Sequence, residues 1–233
     1  MTVNAMVFDM DDTLYEEKDY VRSGFKALDH WMKREFQITG FYETALDLFL
    51  SGEKRLIFNK TLEKLNIAYG ETLIEEMVDV YRSHEPDIHL LDDVKWVFEN
   101  LQDTVKIGLI SDGYLVSQEK KVNALKLEEK CHSVILTDRW GKEHWKPSHV
   151  PYEQASRELK LPHDQCVYIG DNANKDFVTA KRLGWTTIHI DRKDGLYSGI
   201  AVEQEYKAHY TIDDLRKISG LPMLKHMFTY AHD

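Results

Sequence analysis

The stretch Ala5-Met6-Val7-Phe8-Asp9-Met10-Asp11-Asp12-Thr13-Leu14-Tyr15 carries the reading of the fold. A short apolar strand over residues 5–10 runs into Asp9 and Asp11, two carboxylates separated by one residue. Acids that emerge from the end of a buried strand suit three tasks: nucleophile, proton-transfer partner and divalent-metal ligand. The pattern returns at Val167-Tyr168-Ile169-Gly170-Asp171-Asn172-Ala173-Asn174-Lys175-Asp176, where another apolar run opens into an acidic loop.

Outward from the first stretch the rhythm changes twice. Val21, Phe25, Leu28, Met32 and Phe36 recur at spacings of three or four, which predicts a helix from about 17 to 37. Residues 42–51, 53–66 and 72–82 also read as helices, punctuated by Gly40, Gly52 and Gly70. Residues 16–88 are therefore expected to form an all-helical insert. After Pro86, strands at 106–110, 133–136, 166–169 and 186–190 alternate with helices at 92–101, 115–127, 149–160 and 174–183; 209–212 is a further candidate strand. Gly184 suits the C-terminal cap of the 174–183 helix. Such alternation predicts an α/β fold: a Rossmann-like, mostly parallel sheet with helices on both faces, built from 1–15 and 89–233. In such sheets ligands bind outside the carboxyl ends of the strands. Asp9, Ser111 and Asp171 each stand at such an end.

Composition narrows the class. The 233 residues can bury a sizeable core, and 42% apolar with 30% charged residues is ordinary for a globular enzyme. No apolar run is long enough for a membrane span, and the N-terminal residues lack a secretory pattern, so a cytoplasmic location is expected. A net charge of −10 argues against broad affinity for nucleic acid or anionic membrane. Cys131 and Cys166 read as free thiols of a reducing compartment. His226 and His232 are six residues apart, on different helix faces, and read as ordinary tail residues.

Asp9 is the candidate nucleophile, since carboxylate attack on phosphorus splits one difficult hydrolysis into two easier steps. Asp11 is placed to donate a proton to a leaving oxygen and later to accept one from water. Thr13 is suited to fixing the turn through its hydroxyl. Solvated acids in a surface turn are the plain alternative for this stretch. Ser111-Asp112-Gly113 offers a hydroxyl and backbone amides for phosphoryl oxygens, with Gly113 permitting close approach. Lys146, in Trp145-Lys146-Pro147, could neutralise phosphate charge; Lys142 competes for that role. Asp171 could hold magnesium directly. Asp176 could act through water, or could simply favour the N-terminus of the following helix, and Asn172 could orient the group.

Asp9-x-Asp11-x-Thr13, Ser111 after a strand, Lys146-Pro147 and Gly170-Asp171-x-x-x-x-Asp176 occur in this order over about residues 5–218. The set resembles the haloacid dehalogenase-like hydrolase superfamily, in its branch with a helical cap between the first two motifs. The resemblance implies Mg2+, Asp9 as nucleophile and Asp11 as general acid/base. It also implies phosphate contacts from Ser111, Asp112 and Lys146, and metal ligation by Asp9, Asp171 and the Asp11 backbone carbonyl. An acid at Asp11 favours phosphoryl chemistry over dehalogenation, because a halide leaving group needs no protonation. One departure is Asp138–Trp145, longer than the usual approach to the lysine.

The expected activity is magnesium-dependent hydrolysis of a small phosphate ester, a sugar phosphate or nucleotide, through an aspartyl phosphate. A phosphoglucomutase-like transferase, a haloacid dehalogenase and a non-catalytic binding protein are the alternatives. A cap would exclude water and read the leaving group, with Glu16, Tyr20, Arg22, Lys54, Arg55 and His84 as candidate contacts. Trp140 and Trp145 could line the site, or simply pack.

Overall fold

The computed structural model describes residues 2–193 and 195–229; His232 lies outside them. Six strands form one sheet: β1 (Ala5–Phe8), β2 (Lys106–Ser111), β3 (Ser133–Leu136), β4 (Cys166–Gly170), β5 (Thr186–Ile190) and β6 (Tyr210–Ile212). Every neighbouring pair is parallel, in the order β3-β2-β1-β4-β5-β6. Central strand β1 is buried along its whole length, as its unbroken apolar run requires.

Successive residues of β1 serve opposite faces of the sheet. Ala5 and Val7 join Tyr152, Ala155 and Leu159 of helix α7 (Val150–Leu159) and Ala180 of α8 (Val178–Arg182) in one core cluster. Phe8 meets Phe98 of helix α5 (Asp92–Asn100) edge-on, at 5.7 Å between ring centroids. Helices thus cover both faces of this Rossmann-type sheet. Chain direction reverses its progress at β1, from which β2 lies on one side and β4 on the other, and this is where such sheets open a crevice.

The chain divides into two compact units, residues 1–17 with 89–233 and residues 18–88. The second holds most of α1 (Glu17–Phe36), with α2 (Phe41–Leu50), α3 (Ile57–Lys64) and α4 (Glu71–Ser83). Its own core is Phe25, Leu28, Met32, Phe41, Ala45, Leu62 and Met77. Gly24 is needed there for packing: a Cβ would lie 2.2 Å from the Tyr81 ring. Of the residues considered for substrate contact, Tyr20 packs on Tyr81 and His84, while Arg22 pairs with Asp19 at the surface.

Three local expectations need correction. The helix expected over 53–66 begins only at Ile57, after Leu56 takes a left-handed conformation at φ 53°. The helix expected over 115–127 ends at Ala124 (α6, Leu115–Ala124), before Lys126 takes φ 53°. The helix expected over 174–183 exists only at Val178–Arg182, because residues 171–177 spend their hydrogen bonds on an acidic loop. Gly184, at φ 92°, ends that helix as anticipated. Both cysteines are free, and His226 bonds the Val3 carbonyl at 2.7 Å. No helix among the described residues is long and apolar enough to cross a membrane.

Candidate active site

Groups from three parallel strands converge on Lys146. Its ammonium is fully buried and donates to an Asp9 carboxylate oxygen, to Tyr168 Oη at 2.8 Å and to the Ile110 carbonyl at 3.4 Å. It lies 2.9 Å from Asp176 Oδ1. Asp9 follows β1, Ile110 lies in β2 and Tyr168 in β4, so one cation ties the three central strands together. The competing Lys142 instead sits on the surface, donating to Tyr114 Oη at 3.0 Å. Trp145, anchored by its Nε1–H to Asp138 at 3.1 Å, packs edge-on to Tyr114; Trp140 is exposed.

Carboxylate oxygens of Asp9, Asp171 and Asp176 all lie within 4.8 Å of one another, and all three residues are buried. Burial, and then Asp9 and Asp176, push Asp171 up to about 10; burial, opposed by Lys146, pushes Asp9 up to about 6. Three buried acids facing one lysine leave an excess of negative charge that a divalent cation would neutralise. The all-oxygen donor set suits magnesium. Lys146 is held well above the usual lysine range: burial opposes its charge, but Asp176 and Asp9 prevail.

Asp176 shapes the loop as well. Its Oδ2 accepts the Asn172 backbone N–H at 2.9 Å, and the Asn172 side chain accepts the Asn174 N–H at 3.1 Å. Asp176 stands just before α8, a helix of five residues, and its carboxylate is turned to the Asn172 N–H and the Lys146 ammonium. Gly170 makes the arrangement possible, since a Cβ there would lie 2.4 Å from Asp176 Oδ2.

Asp11 faces helix α6. One of its oxygens accepts from Lys121 Nζ at 2.7 Å and from Tyr15 Oη; the other accepts from Gln118 Nε2 at 3.1 Å. Burial alone would raise this carboxyl, but Lys121, with the hydrogen bonds from Lys121, Tyr15 and Gln118, holds it below the usual range. Gln118 Nε2 also reaches Ser111 Oγ at 2.7 Å and the Asp112 carbonyl at 2.6 Å.

The Asp112 side chain turns inward. It accepts from Thr137 Oγ1 at 2.9 Å and from the Lys146 backbone N–H at 3.0 Å, and pairs with Lys175 Nζ at 2.8 Å. Burial would raise it, yet Lys146 and Lys175 hold it low, so its carboxylate serves as an internal acceptor. A phosphate contact at this position would fall to the backbone. Thr13 corrects another expectation: its Oγ1 is buried without a hydrogen-bond partner among the described residues, so its hydroxyl does not fix the turn.

Gln118, Lys121, Lys175 and Tyr15 did not stand out in the sequence. A signal for the first two was present: they share one helical stripe with the buried Val122 and Leu125, interrupting it with polar groups. Nothing comparable marks Lys175, which reads as an ordinary loop lysine.

Known proteins with similar sequences include several that are phosphatases by name. The chain is 24% identical over 233 residues to the glyceraldehyde 3-phosphate phosphatase of Methanocaldococcus jannaschii, covering 93% of this chain and 95% of that one. It is 25% identical over 231 residues to pyrophosphatase PpaX of Bacillus mycoides, covering 96% and 98%. Among solved structures, the magnesium-bound HAD-hydrolase YfnB of Bacillus subtilis shares the fold with a TM-score of 0.68 at 15% identity, covering 94% of this chain and 98% of that one. The family model described as haloacid dehalogenase-like hydrolase matches residues 6–190, a span that begins in β1 and ends with β5. The chain belongs to the haloacid dehalogenase-like hydrolase family.

Proposed function

We propose that the protein is a magnesium-dependent phosphatase acting on a small phosphate ester through an aspartyl phosphate on Asp9. The observation that carries this reading is the Lys146 ammonium buried against Asp9 and Asp176, with Asp171 alongside. The phosphatase names of the sequence relatives support it.

An Asp9 oxygen attacks phosphorus as the ester P–O bond breaks, and Asp11 gives the leaving oxygen its proton. Asp11 is paired with Lys121 before substrate enters, and a phosphate dianion beside it raises its affinity for the proton it must carry. Water then attacks the phosphoaspartate, Asp11 takes the water's proton, and inorganic phosphate leaves with Asp9 restored. Lys146 offsets charge on the phosphoryl oxygens and holds Asp9 in line. Ser111, kept in place by Gln118, and the backbone at Asp112 bind the phosphoryl group. Asp9, Asp171 and the Asp11 backbone carbonyl would hold magnesium, with Asp176 acting through water or by orienting the loop. Magnesium supplies further neutralisation of the phosphoryl charge. Thr13 and Asn172 support these ligands through the loop backbone.

The substrate is a small phosphate ester such as a sugar phosphate or nucleotide, with the helical insert in the role of a cap domain. Phosphate release is the test, measured with and without magnesium on sugar phosphates, nucleotides and an aryl phosphate. Release that depends on magnesium and disappears in Asp9→Asn is expected. Release that persists in Asp9→Asn overturns the nucleophile, and no release from any ester overturns the phosphatase reading.

A further inference from the structure

The loop that carries Asp9 and Asp11 is gripped from outside by one arginine. Arg192 follows β5 in sequence, yet its guanidinium reaches the far side of the first acidic turn. Nε donates to the Asp12 carbonyl at 3.2 Å, and Nη2 donates to the Thr13 carbonyl at 2.9 Å. Nη1 and Nη2 also form a fork on Asp93 of α5, at 2.9 and 3.2 Å. Asp93 is buried and accepts the Leu215 N–H at 2.9 Å as well, so the anchor is itself anchored.

The gripped backbone is conformationally unusual. Asp12 lies at φ 51°, in the left-handed region that a non-glycine residue adopts at a cost. Its carboxylate accepts the Glu17 N–H at 2.8 Å and the Leu196 N–H at 2.9 Å, while Arg192 takes its carbonyl. The peptide torsions at 11 and 12 set where the Asp11 side chain and carbonyl point. A planar fork of donors can satisfy carbonyls and carboxylate together, which a lysine ammonium cannot.

We infer that Arg192, backed by Asp93, is a positioning residue that holds Asp11 in register with the phosphoryl site. It touches no reacting atom and acts through the carbonyls of Asp12 and Thr13. The catalytic consequence rests on the phosphatase reading; the mechanical one does not.

Arg192→Met and Arg192→Lys test it in the full chain, with circular dichroism and thermal melting to establish folding. An alkyl phosphate needs its leaving oxygen protonated, whereas 4-nitrophenyl phosphate needs little help. Read as kcat/KM, which reports departure of the leaving oxygen and not the later attack of water, Arg192→Met should lose at least about tenfold on the alkyl ester and less than about threefold on the aryl ester, with Arg192→Lys between. Equal losses on both esters, or none, overturn the inference, because general destabilisation does not sort substrates by leaving group. Amide exchange gives a second readout that needs no activity. In Arg192→Met the Thr13 and Leu14 amides, both bonded to the Met10 carbonyl, should exchange at least about tenfold faster while the β4 amides stay unchanged. Unchanged exchange at Thr13 and Leu14 overturns the inference. A wild-type chain inert on both esters refutes the phosphatase reading and leaves the exchange result to decide the clamp.

Discussion

Removing divalent cations and raising the pH should destabilise the protein together, by an amount set by its buried acids. In the metal-free chain burial, with neighbouring carboxylates, pushes Asp9 from 3.8 up to about 6 and Asp171 from 3.8 up to about 10. A carboxyl whose folded pKa is raised contributes stability that is complete below the unfolded value and lost as pH rises through the folded one. Inside that window stability falls by up to about 1.4 kcal/mol per pH unit for each group. Asp9 contributes up to a pH of about 6 and Asp171 up to about 10. From about pH 5 to about pH 8 Asp9 and Asp171 should therefore together cost the metal-free protein up to about 5 kcal/mol, mostly through Asp171. Asp11 and Asp112 are held low and slope the other way, but only below 3.8, outside this range. Glu17, pushed up to about 7 chiefly by burial, slopes alike with or without the cation and cancels in the difference. With magnesium held, Asp9 and Asp171 stay ionised and the loss disappears. Urea unfolding followed by circular dichroism across this range, in chelator and in magnesium, measures the divergence. Parallel pH curves in the two conditions, or stability rising with pH in chelator, would refute the shared acidic site.

Further perturbations probe the same arrangement. Lys146→Met leaves Asp9 and Asp176 without their buried cation; it should abolish phosphate release and cost about 3–5 kcal/mol in urea unfolding of the metal-free protein. Gly170→Ala drives a Cβ against Asp176, so titration calorimetry should show weaker magnesium binding, with about 1–3 kcal/mol of lost stability. Trp185→Ala, in the core and bonded to His163 at 2.7 Å, should cost about 3–5 kcal/mol in unfolding. Below its lowered melting point that variant should keep its activity, separating fold from chemistry.

Much of the site was legible because its residues sit where local pattern changes. An apolar run that stops at an acid marks a strand end at Asp9 and again at Asp171, and Ser111 closes β2 in the same way. The polar groups that tune these acids were harder to find. Lys121 and Gln118 sit on a helix stripe otherwise given to apolar residues, and the use of that face depends on which strand end it meets. Asp112 was expected among the phosphate contacts through its turn's backbone amides, and nothing local showed that its carboxylate is consumed by Thr137, Lys146 and Lys175 from three other segments.

The sequence by itself determined the alternation of buried strands and helices, the all-helical stretch between the first two strands, and the acids standing at strand ends. Each of these follows from periodicity and from turn chemistry within a few residues. Tertiary structure alone decided the strand order, with β1 between β2 and β4, and therefore which acids share a site. It also buried Lys146, which Pro147 already favoured over Lys142, against Asp9, and brought Arg192 beneath the Asp12–Thr13 backbone. The reason is physical. A lysine or arginine side chain carries no local mark of its partner, and its charge is buried only where carboxylates from distant segments are already assembled to receive it.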